Sequence, residues 1–374
     1  MLNYSIETIT TEPGIEGLEE NWNRLSASAE FPNIFMTYDW FRAWNQIHTR
    51  EQRGGLRRPN VLVFKREGAI AGIAPLIYRE TSRCGLTVRK LEFVGREADY
   101  NDLVVGDDPA GQSQALVQFL AQGQTEWDVA EFWDLRDAVN TQALTASALG
   151  EAGLAHRILP EGYRCPYLPI DGPWSEIVSG FSRAARHTLR KQQRRLERMG
   201  AQGLRVRLIE NPHAESGLVP KLVAVESQKL VHGEPSPPVL GKYPEVYQTL
   251  FDTLGPRGWL LVALMELEER PLAWQIWFRC GKKIWGFLTA YDHAFSHLSP
   301  GTMLIPAVLD YGFAHGFEEC DFLRGDEAYK MRWTTRFHQT HRLLIWRRRW
   351  GSRARAFVYL DLKEAVYRLM GKGE

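Results

Sequence analysis

The sequence predicts an α/β (α+β) chain of two similarly folded halves, each a mixed, mostly antiparallel sheet flanked by helices. Three observations carry this expectation. The chain has 374 residues, more than one ordinary core accommodates, which favours two domains of roughly 150–200 residues each. Apolar residues alternate between a period near two and a period near 3.6 along it. The order helices, hairpin, helices then occurs twice, and the runs VLVFKREGAIAGIAPLIY and LVALMELEERPLAWQIWF share one pattern of apolar strand, charged turn and apolar strand.

Taken in order, Tyr4 to Thr10 alternates as an edge strand, and helical spacing follows from Ile15 to Leu25 and from Tyr38 to Ile47. Pro59 to Lys65 and Ala69 to Tyr78 form a hairpin around Arg66-Glu67-Gly68, and Val88 to Val94 is a third strand. A polar patch, Glu97 to Asp102, runs into a strand; Ala110 to Leu120 reads as helix, Val129 to Leu135 as strand, Thr141 to Ala152 as helix. Between Arg157 and Trp174 the composition turns to Pro, Gly and Tyr, which places the boundary there and gives domains 1–160 and 161–374. The second half opens on one long helix, Ser175 to Met199, closed by Gly200, and continues with a strand, Leu204 to Ile209. Helices at Val219 to Leu230 and Tyr243 to Leu254 flank the Pro-rich Gly233 to Pro238, and the second hairpin turns at Glu268-Glu269-Arg270.

The totals exclude several classes. Hydrophobic residues make up 44% and charged residues 24%, a globular balance that argues against extensive disorder. A net charge of +1 offers no global field for nucleic acid, so a basic partner site must be local. The four cysteines are scattered, with no Cys-x-x-Cys pair and no His at ligand spacing, so neither a disulfide framework nor a metal site is expected. The N-terminus has no basic and apolar leader, and no run approaches ~18 apolar residues; the expected location is cytoplasmic.

Chemistry concentrates between Trp285 and Trp333. A buried strand leads through a polar loop into Ser299-Pro-Gly-Thr302, a helix opening whose unpaired N–H groups and dipole suit an anion. Ser299 or Thr302 would cap the helix and Gly301 would let a pyrophosphate approach the backbone. Pro306 should kink the helix or delay its start. A second strand ends in Gly325-Asp-Glu-Ala-Tyr-Lys330. Elsewhere, the helix from Ser182 carries Arg183, Arg186, Arg190 and Arg194 at helical spacing. It reads either as a solvated face or as a binding face for CoA phosphates, a nucleotide sugar, tRNA or an anionic membrane. Arg347 to Arg355 forms a second basic cluster. His293, His297 and His315 match no hydrolase or metalloprotease motif.

These stretches resemble a known family. Cys165-Pro-Tyr-Leu-Pro-Ile, the Arg-rich helix from Ser182, Pro300-Gly-Thr-Met-Leu and above all Asp321-Phe-Leu-Arg-Gly-Asp-Glu-Ala-Tyr-Lys-Met-Arg-Trp333 resemble the GNAT-like acyltransferases of the CelD/BcsL type. That type is associated with cellulose and exopolysaccharide synthesis and related to the FemABX peptidyl transferases. Phe35 to Trp40 and the Asp99-Tyr100-Asn-Asp102 patch extend a looser match into the first half, which implies two tandem GNAT-like domains. The resemblance implies an acyl-CoA donor, acetyl-CoA or another, held where two central strands part. The acceptor would be an amine or hydroxyl, on a sugar or envelope precursor. It implies donor contacts at Tyr291, Ser299, Gly301 and Thr302. Tyr329 would protonate the departing thiolate, Lys330 would contact substrate phosphate, and Asp326 would serve as base. Asp99, Tyr100, Asp102, Arg186, Arg190 and Arg324 are expected to meet substrate. Structural counterparts stand beside each: a capped helix start, a solvated turn, pairing of Asp326 with Arg324 or Arg332. Two readings stay open beside the acyl-CoA enzyme. One is a FemABX-like transferase using aminoacyl-tRNA, and the other a non-catalytic scaffold or membrane-surface adaptor among polysaccharide-synthesis proteins.

Overall fold

The computed structural model describes residues 4–29, 32–51, 55–83, 85–95, 98–122, 126–136, 146–159, 162–170, 172–228 and 244–369. The Pro-rich stretch 233–238, Glu97 and the start of the helix expected from Thr141 lie outside them. Two compact units form, Met1–Tyr163 with Gln339–Glu374, and Arg164–His338. The sequence break falls in the expected stretch, but the last 36 residues return to the first unit instead of completing the second.

The first unit comprises β1 (Ser5–Ile9), α1 (Glu12–Glu16), α2 (Glu19–Ser28), α3 (Tyr38–Glu51), β2 (Arg57–Pro59), β3 (Val61–Arg66), β4 (Ala69–Ala74), β5 (Leu76–Arg83), β6 (Leu86–Phe93), β7 (Val104–Val105), α4 (Pro109–Gln122), β8 (Val129–Arg136), α5 (Ala146–Glu151) and β9 (Leu154–Leu159). The second holds β10 (Arg164–Pro169), α6 (Trp174–Gly180), α7 (Arg183–Gly200), β11 (Leu204–Ile209), α8 (Leu218–Glu226), α9 (Pro244–Leu254), β12 (Leu260–Leu267), β13 (Arg270–Cys280), β14 (Lys283–Tyr291), α10 (Pro300–Ala314) and β15 (Glu319–Asp321). The chain then returns to the first unit along β16 (Phe337–Arg347) and α11 (Trp350–Leu369).

The mixed, mostly antiparallel architecture is as expected. The first unit has a sheet β1-β3-β4-β7 and a second run β16-β8-β6-β5-β2, with β9 also on β16; the second unit has β11-β12-β13-β14-β15-β10. Each unit contains a parallel strand pair, β6 with β8 and β14 with β15. The two hairpins also share a turn. Glu67 and Gly68 have φ of 53° and 82°, Glu268 and Glu269 of 49° and 70°, the left-handed pair that matches strand twist. The second hairpin achieves it without glycine.

Several expected elements divide: the helix from Ile15 breaks at Gly17–Leu18, the strand from Pro59 breaks at Asn60, and two further breaks show their cause. Ala69 to Tyr78 is not one strand: Pro75 cannot donate to a ladder, and β4 and β5 pair into different sheets on either side of it. The helix from Ser175 also divides, because Ser182 leaves the helix and its Oγ accepts from the Ala185 N–H at 3.1 Å, capping α7.

Period-two burial then builds the cores. Leu343 and Ile345 of β16 face Leu91, Phe132 and the helix residues Leu116 and Leu120. Leu344 faces the other way, onto Ala356, Tyr359 and Leu360 of α11. In the second unit, Leu261, Ala263 and Ile284 pack against Met303, Leu304 and Val308 of α10 and against Ala185 and Leu189 of α7.

Candidate active site

The site begins with an incomplete pairing. The ladder between β14 and β15 covers Lys283 with Glu319, Ile284 with Cys320 and Trp285 with Asp321. Strand β15 then ends, and the Phe322 N–H donates to Pro166 O at 2.8 Å, towards β10, while β14 runs on to Tyr291. A bulge adds to the divergence: Ile276 faces Leu288 and Trp277 faces Gly286, leaving Phe287 as the extra residue of β14. Past Trp285 the two strands therefore part.

A cavity of about 260 Å³ lies in this region, lined by Tyr291, Ser299, Gly301, Thr302 and Tyr329 together with Gln275, Thr289 and Ser296. Five residues named from sequence for the donor and for thiolate protonation thus share one pocket. The helix opening is held from several sides. Asp292 accepts from Ala294 N at 3.0 Å and pairs with Arg270 at 2.7 Å, fixing the short 3₁₀ turn His293–Leu298. Arg195 of α7 donates to the carbonyls of His297 and Leu298 at 3.2 and 3.0 Å. Gln275 donates to Gly301 O at 2.9 Å while its own oxygen accepts from the Trp277 indole.

The opening differs from the expected cap. Ser299 sits at the cap position in the left-handed conformation (φ 55°, ψ 51°), and its hydroxyl makes no capping bond. Its carbonyl accepts from Thr302 N and Met303 N, each at 3.1 Å. Nor does Pro306 delay the helix, which starts at Pro300 and continues through it. Proline supplies no N–H, so the carbonyl of Thr302, four residues back and at the pocket, loses its helical partner. A β-carbon on Gly301 would come to 3.7 Å from Thr289 Oγ1 and 3.8 Å from the Tyr291 ring, so the bare glycine keeps space open on the pocket side.

Beyond β15 the backbone turns tightly. Leu323 (φ 56°) and Gly325 (φ 97°) are both left-handed, and a β-carbon at Gly325 would lie 2.6 Å from the Glu327 carboxylate. The Tyr329 phenol is half-buried against the core, and burial, then the Glu327 charge, pushes its pKa up. Lys330 turns inward: its ammonium donates to Arg324 O at 2.5 Å and sits 3.0 Å from Glu327, tying the turn together. Asp326 is exposed and pairs with Arg164 at 3.1 Å, whose guanidinium covers the Phe337 ring. Arg324 is half-buried on the same turn.

Other predicted residues lie elsewhere. Asp99, Tyr100 and Asp102 are buried in the first unit. Tyr100 meets Phe35 edge-on at 6.4 Å, and the Asp102 N–H donates to Met36 Sδ at 3.0 Å, so the two first-half motifs pack on each other. Arg186 folds back to donate to the carbonyls of Ser179 and Phe181. Arg190 is exposed on α7, in a stripe with Arg183, Lys191, Arg194 and Arg198 that forms no ion pair among the described residues. His293 stacks on Tyr291 at 4.7 Å and His315 on Tyr311 at 3.9 Å. Sequence reading missed Gln275 and Thr289, and placed Arg195 on the basic helix without linking it to this opening. Gln275, a polar side chain inside an otherwise apolar strand, was the one available signal. Glu319, Asp321 and His338 bring ligand atoms within 4.8 Å of one another, a grouping the sequence did not suggest. Lys283 lies 2.8 Å from Glu319 and already supplies positive charge there.

Residues 183–331 match the model of the Acetyltransferase (GNAT) domain. The chain resembles the crystal structure of FemX over 91% of its length and 96% of that chain, with 13% identity and a TM-score of 0.61. It also resembles the C-terminal domain of an Agrobacterium fabrum protein assigned as a lysylphosphatidylglycerol synthetase, at 13% identity, 94% and 96% coverage and TM-score 0.55. A conserved Bacteroides thetaiotaomicron protein of unknown function is similar over 91% of this chain and 100% of its own, at 7% identity and TM-score 0.54. No curated protein matches. The second unit carries a GNAT acetyltransferase-like domain, and these similarities at low identity concern the fold.

Proposed function

We propose that the pocket between the parted strands binds an acyl-CoA, with acetyl as the expected acyl group, and transfers it to an amine or hydroxyl. The observation that carries this reading is the convergence of Tyr291, Gly301, Thr302 and Tyr329 on one cavity at a helix N-terminus. The pantetheine arm would occupy the gap beside β14, and the pyrophosphate would meet the opening of α10, where dipole and backbone favour negative charge. Outward arginines of α7, tied to this opening through Arg195, would meet the remaining phosphates.

The chemistry follows from position. The acceptor atom attacks the thioester carbonyl carbon, the C–S bond breaks, and the sulfur leaves with the electron pair. Tyr329, which borders the pocket, gives its proton to that sulfur and regains one from solvent; burial and the Glu327 charge weaken the phenol as an acid, so its contribution rests on position at the leaving sulfur. The acceptor's own proton passes to solvent, with the exposed Asp326 carboxylate on the way. Holding donor and acceptor together supplies much of the acceleration. A sugar or envelope-precursor acceptor is supported by the resemblance, carried above all by Asp321 to Trp333.

Calorimetric titration with acetyl-CoA and longer acyl-CoAs tests the donor. Binding should be present in the native chain and lost in Gly301→Val, whose branched side chain enters the pocket. No heat with any CoA at millimolar concentration would overturn the reading. The unneutralised stripe on α7 favours a second reading, an aminoacyl-tRNA donor. That reading requires a gel shift with tRNA that weakens steeply with salt.

A further inference from the structure

We propose that the start of α11 is a docking face for an anionic lipid surface. The helix has two sides. Ser352, Ala356, Tyr359 and Leu360 point inward and are buried, joining Val88, Val129 and Leu344 in the core. Its apolar demand on the protein is met by that stripe. On the opposite side, Trp350 is 89% exposed and Phe357 57% exposed. Seven residues apart, they fall on one stripe two turns long, with Arg353 between them. Among the tryptophans whose side chains are described, Trp350 is the one exposed; the others are buried or half-buried.

The charges around these rings point to the occupant. Arg347 and Arg355 are used internally, the first on Leu120 O and over the Trp127 ring, the second on Asp128. Arg348, Arg349 and Arg353 are exposed, and among the described residues their side chains have no ion pair or hydrogen bond. A face with two protruding aromatics flanked by three unneutralised arginines is complementary to a surface that is anionic outside and apolar just beneath. The headgroup–acyl boundary of an anionic bilayer has that profile, and amphipathic aromatic rings sit at its level. The stripe on α7 lacks exposed aromatics and does not share this character. Docking through α11 is independent of the acyl-transfer reading, because no residue of the pocket takes part.

Co-sedimentation of the full chain with vesicles tests the proposal, using phosphatidylcholine alone or with about 30 mol% phosphatidylglycerol, a density that sets up the surface potential basic residues sense. The chain should sediment with the mixed vesicles and stay in solution with the neutral ones. Replacing Arg348, Arg349 and Arg353 together by Gln should lower partitioning roughly a hundredfold, about fivefold per charge. Trp350→Ala with Phe357→Ala should lower it about tenfold. Both variants change exposed side chains, so thermal unfolding and acetyl-CoA titration should match the native chain. In the unmodified protein, phosphatidylglycerol brominated in its acyl chains should quench the part of the fluorescence that Trp350→Phe removes. Absence of sedimentation, equal sedimentation with both vesicles, or unquenched Trp350 would each overturn the proposal. So would an aromatic variant that still binds vesicles fully, a face that shifts tRNA but ignores vesicles, or self-association abolished by Trp350→Ala without lipid binding.

Discussion

Tyr329 and Lys330 are neighbours in sequence with opposite fates, and the difference is testable. The phenol borders the pocket while the ammonium, 6% exposed, binds Arg324 O and Glu327 inside its own turn. Tyr329→Phe should therefore lower kcat at least about a hundredfold, the loss of a positioned acid, with acyl-CoA affinity and unfolding midpoint unchanged. An unaltered kcat in steady-state assays would remove Tyr329 from the reaction. Lys330→Ala should act first on stability. Deleting the donor removes a charged hydrogen bond to the part-buried Arg324 carbonyl, which costs about 1–3 kcal/mol, and urea unfolding should show that loss even where activity at low temperature survives. A lowered kcat with unchanged urea midpoint would instead give Lys330 a direct contact with substrate.

At the scale of elements, the charged network across β6, β8, β16 and α11 sets an acid limit on the first unit. The Lys90 ammonium lies 2.5 Å from Glu92 and 2.9 Å from Glu131, Tyr359 donates to Glu131 at 2.7 Å, and Arg342 also binds it. Burial alone would raise the Glu131 pKa, but the charges of Lys90 and Arg342 outweigh it and bring it down to about 2. A carboxylate with a depressed folded pKa stabilises the fold fully above its ordinary value and loses that contribution as pH falls towards the folded one. Stability should thus decline between pH 4.5 and about 2, by on the order of 3 kcal/mol from this group. Glu131→Gln should be less stable at pH 7 and converge on the native chain across that window in denaturant titrations; parallel curves would refute the assignment. Glu319, lowered to about 2 by His338 and Lys283 against burial, adds a similar decline in the second unit. How far such elements can be read in advance depends on the range of the interaction. The hairpin at Glu268-Glu269 and the strand Leu204–Ile209 follow from local period and turn chemistry, and both were legible. The split at Ser182 was legible in principle, since Ser begins a helix better than it continues one. The pocket was half legible: Ser299 to Thr302 and Tyr329 announce themselves by residue type. Gln275 and Arg195 gain meaning only when β13 and α7 are brought to the same helix end. Nothing in the local pattern links Lys90 and Glu131, 41 residues apart, before the parallel pairing of β6 with β8 buries them together.

For the whole chain, the decisive feature is that the first unit is discontinuous. A division at residue 160 assigns everything beyond it to the second domain, as hydrophobic pattern and the Pro/Gly-rich stretch suggest. Pairing decides otherwise: β16 lies between β8 and β9, contributing Leu343, Leu344 and Ile345, and α11 covers the same sheet through Tyr359 and Leu360. Each such side chain contributes about 1.5–3 kcal/mol on burial, so together they approach the 5–15 kcal/mol that holds a typical domain. The returning segment also brings Arg342 and Tyr359, two of the groups that stabilise the fully buried Glu131. A chain ending at His338 would expose the inner edge of β8 and take two hydrogen-bond donors, Arg342 and Tyr359, from that carboxylate. The first unit should then lose its cooperative transition. Calorimetry of the truncated chain should show one endotherm fewer or much smaller than the full chain, and limited proteolysis should cut first within residues 1–163. The second unit, whose strands β10 to β15 pair among themselves, should keep both its protease resistance and its acetyl-CoA binding. Equal endotherms before and after truncation would show that β16 and α11 are dispensable to the first unit.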